Sequence, residues 1–187
     1  MIPQLTLTQT AALVVVAIGT VTDIKSRKIP NILTFPAALL ALALQSFQSG
    51  LPGAIAAIGG WLVGCLITAS PILLMRLFRA GNKMGFGDVK LMGAVGAFLG
   101  PKLTLIVFFY FCLFYGALGI ARIATVIPWK KLVMLFVAPG TDLITAQDME
   151  KIRQMRKSHM PLGPAIFAGT LCTILLEEPT LQFFGFM

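Results

Sequence analysis

The sequence has little that ionises. Only 12% of its 187 residues are charged and just seven are acidic, where a soluble domain carries roughly a quarter charged residues. A chain so poor in charge and 57% hydrophobic cannot cover itself with a water-compatible surface, which places it in a membrane. Histidine occurs once, at His159; this removes most metal-hydrolase sites, and neither HExxH nor GxSxG is present. Cys65, Cys112 and Cys172 stand alone inside apolar runs. Without CxxC or paired spacing they read as small core residues, not as a disulfide framework or a zinc site. The alternating segments of ~10 residues that build a membrane β-barrel are also missing, so helices are expected.

What is there is a succession of apolar runs bounded by charge, Pro or Gly, near 4–22, 32–49, 53–75, 86–100, 103–127 and 161–176. A span needs about 20 residues. The expectation is an all-α integral membrane protein of about six transmembrane helices, forming a single polytopic domain over 1–187 with no repeat or low-complexity linker to divide it. The first run is too long, and too little basic at its front, for a cleaved signal peptide. It ends in TDIKSRK, which halts translocation, so it is taken as a retained first helix.

Basic residues alternate between the loops. Lys25, Arg27 and Lys28 follow the first run, Arg76, Arg79 and Lys83 the third, and Lys130 to Lys157 lie beyond the fifth. The opposite loops hold little: SGLP, Lys102, and Glu177 with Glu178 after the last run. By the positive-inside rule both termini lie outside the cytoplasm. The net charge of +8 follows from this asymmetry; anionic lipid is its expected partner, and nucleic acid is not. The loop 128–160 contains TDLITAQDMEKIRQMRKSH. There Ile144, Met149, Ile152 and Met155 form one face of an interfacial helix, with Lys151, Arg153, Arg156 and Lys157 toward lipid phosphate or water. Anchoring is its default role and a protein partner the alternative.

Of the acidic residues, Asp142, Asp148 and Glu150 fall in that polar loop, and Glu177 and Glu178 follow the last run. Asp23 and Asp88 remain, each at the cytoplasmic end of an apolar run. Asp23 ends its helix, where the dipole disfavours an anion by a few tenths to about 1 kcal/mol; an ion pair with Lys25, Arg27 or Lys28 is one explanation and a chemical role the other. IPN, 29–31, then turns the chain, with Pro30 shaping the turn and Asn31 suited to cap the next helix. Asp88 suits a helix start, so capping alone can explain it. Length argues for more. From Asp88 to Gly100 the helix covers only ~18 Å of a ~30 Å core, which sinks Asp88 below the surface if Pro101 and Lys102 mark the outer boundary. Irregular backbone at that depth is tolerated only where protein buries it or water reaches it, so Gly85-Phe86-Gly87 is expected to line a wet cavity, and an ionisable residue there is functional by default.

Gly93, Gly96 and Gly100 allow close packing of the fourth run, and Gly59, Gly60, Gly64, Gly116 and Gly119 of its neighbours. Two carboxylates brought to one side of such a bundle cannot both ionise. One can deprotonate a water while the other donates to a carbonyl oxygen. Ser26 and Ser70 have no base to activate them, so any hydrolysis rests on aspartate.

DIKSRKIPN together with GFGDVKL and MPLGPAIFAG resembles the GxGD-type aspartic membrane peptidases that process type IV prepilins and preflagellins. The resemblance spans Asp23 to Gly169. It implies a multi-pass endopeptidase of the cytoplasmic membrane, without cofactor or metal, that removes a short basic leader after a glycine from a substrate with a hydrophobic N-terminal helix. Asp23 and Asp88 would be the catalytic pair. Gly85 and Gly87 would shape the loop, and Lys90, Pro30, Asn31, Pro161, Gly163 and Pro164 match the remaining motif positions, Lys90 either tuning Asp88 or orienting substrate. Long members carry a cysteine-bearing cytoplasmic domain between the first two spans and also N-methylate the trimmed pilin. Here that interval is only KSRKIPN. The chain is therefore expected in the short, peptidase-only branch, acting on Flp or Tad-type pilins or a preflagellin-like protein. The competing reading is a small ion-coupled transporter or channel, which also uses intramembrane acids and Gly-broken helices; the one-sided placement of the acids and the lack of an inverted repeat speak against it.

Overall fold

The computed structural model describes residues 5–26, 29–77, 86–125, 150 and 162–185. It forms two compact units, Met1–Cys112 with Pro161–Met187, and Leu113–Met160. The described residues are helical without strands: α1 (Leu7–Ser26), α2 (Asn31–Leu77), α3 (Gly87–Ala124), α4 (Gly163–Leu175) and the short α5 (Glu177–Phe183). Three of these helices are long and apolar enough to cross a membrane, over Leu7–Ser26, Asn31–Ser70 and Gly87–Ala124. In the second unit, helix continues from residue 113 to Ala124, and the Thr125 hydroxyl donates to the Arg122 carbonyl at 2.7 Å. The expected interfacial helix over 128–160 lies outside the described residues, apart from Glu150.

Helix ends follow from local chemistry. α1 opens with a capping box: the Gln9 N–H donates to Thr6 Oγ1 at 3.3 Å, while Gln9 Oε1 accepts from the Thr6 N–H at 3.0 Å. Two of the four N-terminal donors that a helix leaves orphaned are satisfied this way. Pro164 at the start of α4 has no N–H to leave unpaired. Inside the helices, buried hydroxyls bond back to carbonyls one turn earlier, Thr68 to Gly64, Thr104 to Gly100, Thr170 to Ile166 and Thr173 to Gly169, at 2.6–2.9 Å. In an apolar solvent this is the nearest way to satisfy them.

Two long helices are interrupted at single glycines. Gly50 has φ 61, ψ −139 and Gly100 φ 78, ψ 172, backbone regions that cost other residues on the order of 1–3 kcal/mol. Contacts show that the chain reverses at Gly50. Before it, Asn31 meets Lys90 and Gln45 meets Phe98, so this arm runs alongside α3 in the same direction. After it, Gly60 meets Gly96 and Gly100, Gly64 meets Met92, and Cys65 meets Val89, so the second arm runs the opposite way. Past Gly100 the chain folds back again, since Thr104 Oγ1 lies 3.0 Å from where a Cβ on Gly96 would sit.

The first arm of α3 is the hub of its unit. Every residue from Leu91 to Gly100 is buried, the mark of a helix surrounded on all sides. Lipid-compatible surfaces gain little by excluding lipid from one another, so close backbone approach must hold such a bundle. Gly60 and Gly96 supply it: a Cβ on either would land on the carbonyl oxygen of the other. Gly64 and Gly93 are similarly crowded, by the Met92 carbonyl and by Cys65 Sγ, each at 2.5 Å. Gly59 has only Pro101 Cγ at 3.9 Å and does not share the packing role expected of it; around Gly116 and Gly119 the described residues place nothing within 4 Å. The outward surface is apolar, with Ile32, Leu39 and Phe47 well exposed, as a lipid-facing surface requires.

Candidate active site

Asp23 lies in the last turn of α1 and Asp88 in the first turn of α3, and both are buried, 5% and 8% exposed. Isolated carboxylates are rarely hidden so fully, because burial of an ion without partners costs several kcal/mol. The two are close enough for the charge of Asp23 to act on Asp88. The fold reaches this through direction: α1 runs toward this end of the unit, the chain turns through Ile29 and Pro30, and α3 begins here before running away.

Asp23 is held from the opposite side by α4. The Gly163 N–H donates to Asp23 Oδ2 at 2.9 Å, and the Thr20 hydroxyl, one turn earlier on α1, donates to the Gly163 carbonyl at 3.0 Å. The first residue of α4 is thus bound through both its N–H and its carbonyl by one face of α1. A side chain at Gly163 would sit 3.0 Å from Thr20 Cα and 3.2 Å from Asp23 Cβ and Oδ2. Glycine is needed here for approach, since α4 could not otherwise come within hydrogen-bonding distance of the carboxylate. Pro164 follows as the helix-initiating residue. Pro161 lies outside the described residues.

Asp88 is flanked by contacts with the IPN segment. Gly87 abuts Ile29, whose Cβ lies 3.3 Å from where a Cβ on Gly87 would be. Two residues beyond Asp88, Lys90 Nζ donates to Asn31 Oδ1 at 2.8 Å and sits 5.6 Å from the centre of the Phe35 ring. Asn31 is the first residue of α2, and its side-chain amide oxygen accepts the cross-helix bond from Lys90. Pro30 shapes the same turn, its carbonyl accepting from the Leu33 N–H at 3.0 Å. Gly85 lies outside the described residues, and Phe86 is exposed beside the start of α3.

The stretch 23–31 therefore touches both 86–90 and 163–164, with a buried carboxylate in each of the first two. Thr20 and Phe35 belong to this site and were not singled out from the sequence. Thr20 carries only the weak signal of a hydroxyl one turn before Asp23, and a Phe in an apolar chain carries none. Chemically, the arrangement offers a pair of acids, one anchored by a backbone N–H, with an ammonium directed to an amide nearby.

The chain is 34% identical over 82 residues, 44% of its length and 32% of the relative's, to the prepilin leader peptidase/N-methyltransferase of Vibrio cholerae serotype O1. To the protein of that name from Bacillus subtilis (strain 168) it is 27% identical over 167 residues, 88% of this chain and 53% of the relative's. To that of Burkholderia pseudomallei (strain 1026b) it is 26% identical over 171 residues, 87% of this chain and 44% of the relative's. The chain thus spans between about a third and a half of these relatives. No solved structure matches it. A family model described as the type IV leader peptidase family matches residues 10–120, more than half of the chain and inclusive of Asp23, the IPN turn and Asp88; the protein belongs to the type IV leader peptidase family.

Proposed function

We propose that this protein is a membrane-embedded aspartic endopeptidase that removes the short basic leader from type IV prepilin-like substrates at the cytoplasmic face of the cell membrane, with Asp23 and Asp88 as its catalytic pair. The observation that carries the reading is that two carboxylates from helices distant in sequence are both buried and near enough to interact electrostatically, Asp23 being held by the Gly163 N–H. Carboxylates held this close share one proton between them. The ionised member takes a proton from water as the water attacks the scissile carbonyl, and the protonated member donates to the carbonyl oxygen. As the resulting gem-diol collapses, the C–N bond breaks, one of its hydroxyls returns a proton to the carboxylate that had donated, and the proton taken from water passes to the leaving amine, which restores the pair. Their titration belongs to the dyad and not to either residue.

The same reading treats the reversals at Gly50 and Gly100 as loops between crossings. That makes six crossings, with both termini outside the cytoplasm and the dyad on the basic, cytoplasmic side. Anionic lipid is the partner of that basic side. The substrate class is the Flp or Tad-type pilin or a preflagellin-like protein. N-methylation is not assigned, because the interval between α1 and α2 leaves no room for an intervening domain.

Co-expression with candidate prepilins, with leader removal followed as a mass shift, tests the proposal. Wild type is expected to cleave, while Asp23→Asn and Asp88→Asn insert normally and abolish cleavage. Normal processing by either variant would overturn the paired-carboxylate mechanism. Ion flux in proteoliposomes indifferent to prepilin, without cleavage, would support a transporter instead.

A further inference from the structure

The dyad chemistry leaves Lys90 without a task, and its location is otherwise unfavourable. It lies in the first turn of α3, next to the positive end of the helix dipole, where a cation is disfavoured. Its ammonium is engaged by α2: Nζ donates to Asn31 Oδ1 at 2.8 Å and lies 5.6 Å from the Phe35 ring centre. Asn31 and Phe35 are four residues apart and share a helix face, so both reach the same ammonium. On the other side of Asp88, Gly87 rests against Ile29. Asp88 is therefore bracketed by two contacts with one short segment, 29–35, and that segment is joined to Asp23 by only the residues between.

We propose that Lys90 is a positioning residue: with Asn31 and Phe35 it forms a strut that sets the start of α3 against the α1–α2 turn and so fixes the spacing of Asp88 and Asp23. The proposal rests on the reading of those two residues as the catalytic pair. The ammonium serves as a donor to a neutral amide and as a partner to a ring. Substrate contact and electrostatic action on the dyad are the rival uses, and each has its own kinetic signature. Precision matters here because a misplacement of about 1 Å in a catalytic group can lower a rate on the order of a hundredfold.

The experiment uses the full-length protein in detergent with a prepilin-like substrate, and measures kcat, KM and the pH–rate profile for Lys90→Met, Asn31→Ser, the double variant and Asn31→Asp. Methionine keeps most of the lysine stem in place. Serine can still serve a helix start but is too short to reach Lys90, whereas aspartate can do both. Each of Lys90→Met and Asn31→Ser is expected to lower kcat about tenfold, as for a lost hydrogen bond to a charged group, with KM changed by less than about twofold. The double variant falls no further than the worse single variant, because both break one connection. Asn31→Asp recovers most of what Asn31→Ser loses, which separates the strut from mere misfolding.

Additive losses would overturn the strut, as would full kcat in Lys90→Met. A raised KM with kcat intact would make Lys90 a substrate contact. A shifted pH profile in Lys90→Met but not in Asn31→Ser would make it an electrostatic partner of the dyad. If wild type itself does not cleave, the peptidase reading fails and the positioning role with it; cleavage by wild type and equally by Lys90→Met defeats the strut alone.

Discussion

Gly163→Ala should separate the placing of Asp23 from the packing of the helix that places it. The new methyl would meet Thr20 Cα at 3.0 Å and Asp23 Cβ and Oδ2 at 3.2 Å. Thr20 Cα is backbone and cannot swing aside, so the start of α4 must retreat by a few tenths of an ångström. Overpacking of this kind costs about 1–3 kcal/mol. The retreat lengthens the 2.9 Å bond from the Gly163 N–H to Asp23 Oδ2, a buried, charge-assisted bond whose loss is felt by about 1.5–3 kcal/mol. If half or more of that appears in the barrier, cleavage slows roughly tenfold, at about 1.4 kcal/mol per factor of ten. Gly169 on the same helix supplies the control. A methyl there would meet the Phe111 amide nitrogen at 2.9 Å and the Val107 carbonyl oxygen at 3.0 Å, a comparable clash away from both carboxylates. Thermal unfolding in detergent and leader cleavage by mass shift are measured for both variants. Both should lose stability by about 1–3 kcal/mol, but only Gly163→Ala should lose more than about threefold in rate. Equal rate losses would show that helix packing at large, not the carboxylate's anchor, controls turnover. A fully active Gly163→Ala would remove the anchor from the mechanism.

Further outcomes follow from the packing. Gly60→Ala places a methyl on the Gly96 carbonyl oxygen, backbone against backbone, and should cost at least about 3 kcal/mol and reduce membrane accumulation; Gly59→Ala, with its nearest atom at 3.9 Å, should accumulate normally. Gln45→Met removes the donor whose Nε2 lies 2.8 Å from the Phe98 carbonyl, and should lower stability in detergent by about 1–3 kcal/mol. Gly100→Ala forces φ 78, ψ 172 on a residue with a Cβ, and should cost on the order of 1–3 kcal/mol in a denaturation series.

Much of the site could be read from residue identity because its chemistry is local. An aspartate in a chain with seven acids is conspicuous, and the Gly-rich approach to Asp88 and the Pro-Asn turn after Asp23 announce themselves as breaks in apolar periodicity. Contacts between separate helices were another matter. Lys90 had two open roles from sequence, and neither was the bond to Asn31 that the fold provides. Gly163 looked like the entry to a helix; that its N–H reaches Asp23 depends on α4 lying along α1. The glycines show the same limit, for Gly59 and Gly60 are adjacent in the chain, yet Gly60 meets the Gly96 backbone while Gly59 has only Pro101 Cγ at 3.9 Å.

The sequence by itself determined the solvent, the helical class and the places where helices must break, because the transfer of side chains to lipid and the φ/ψ limits of Gly and Pro act residue by residue. Only the tertiary structure decided which breaks reverse the chain, which glycines carry the packing, and which backbone and side-chain groups hold Asp23 and Asp88 in place. Those are distances between segments far apart in the chain, fixed when helices that share an apolar exterior pack through their few small and polar positions.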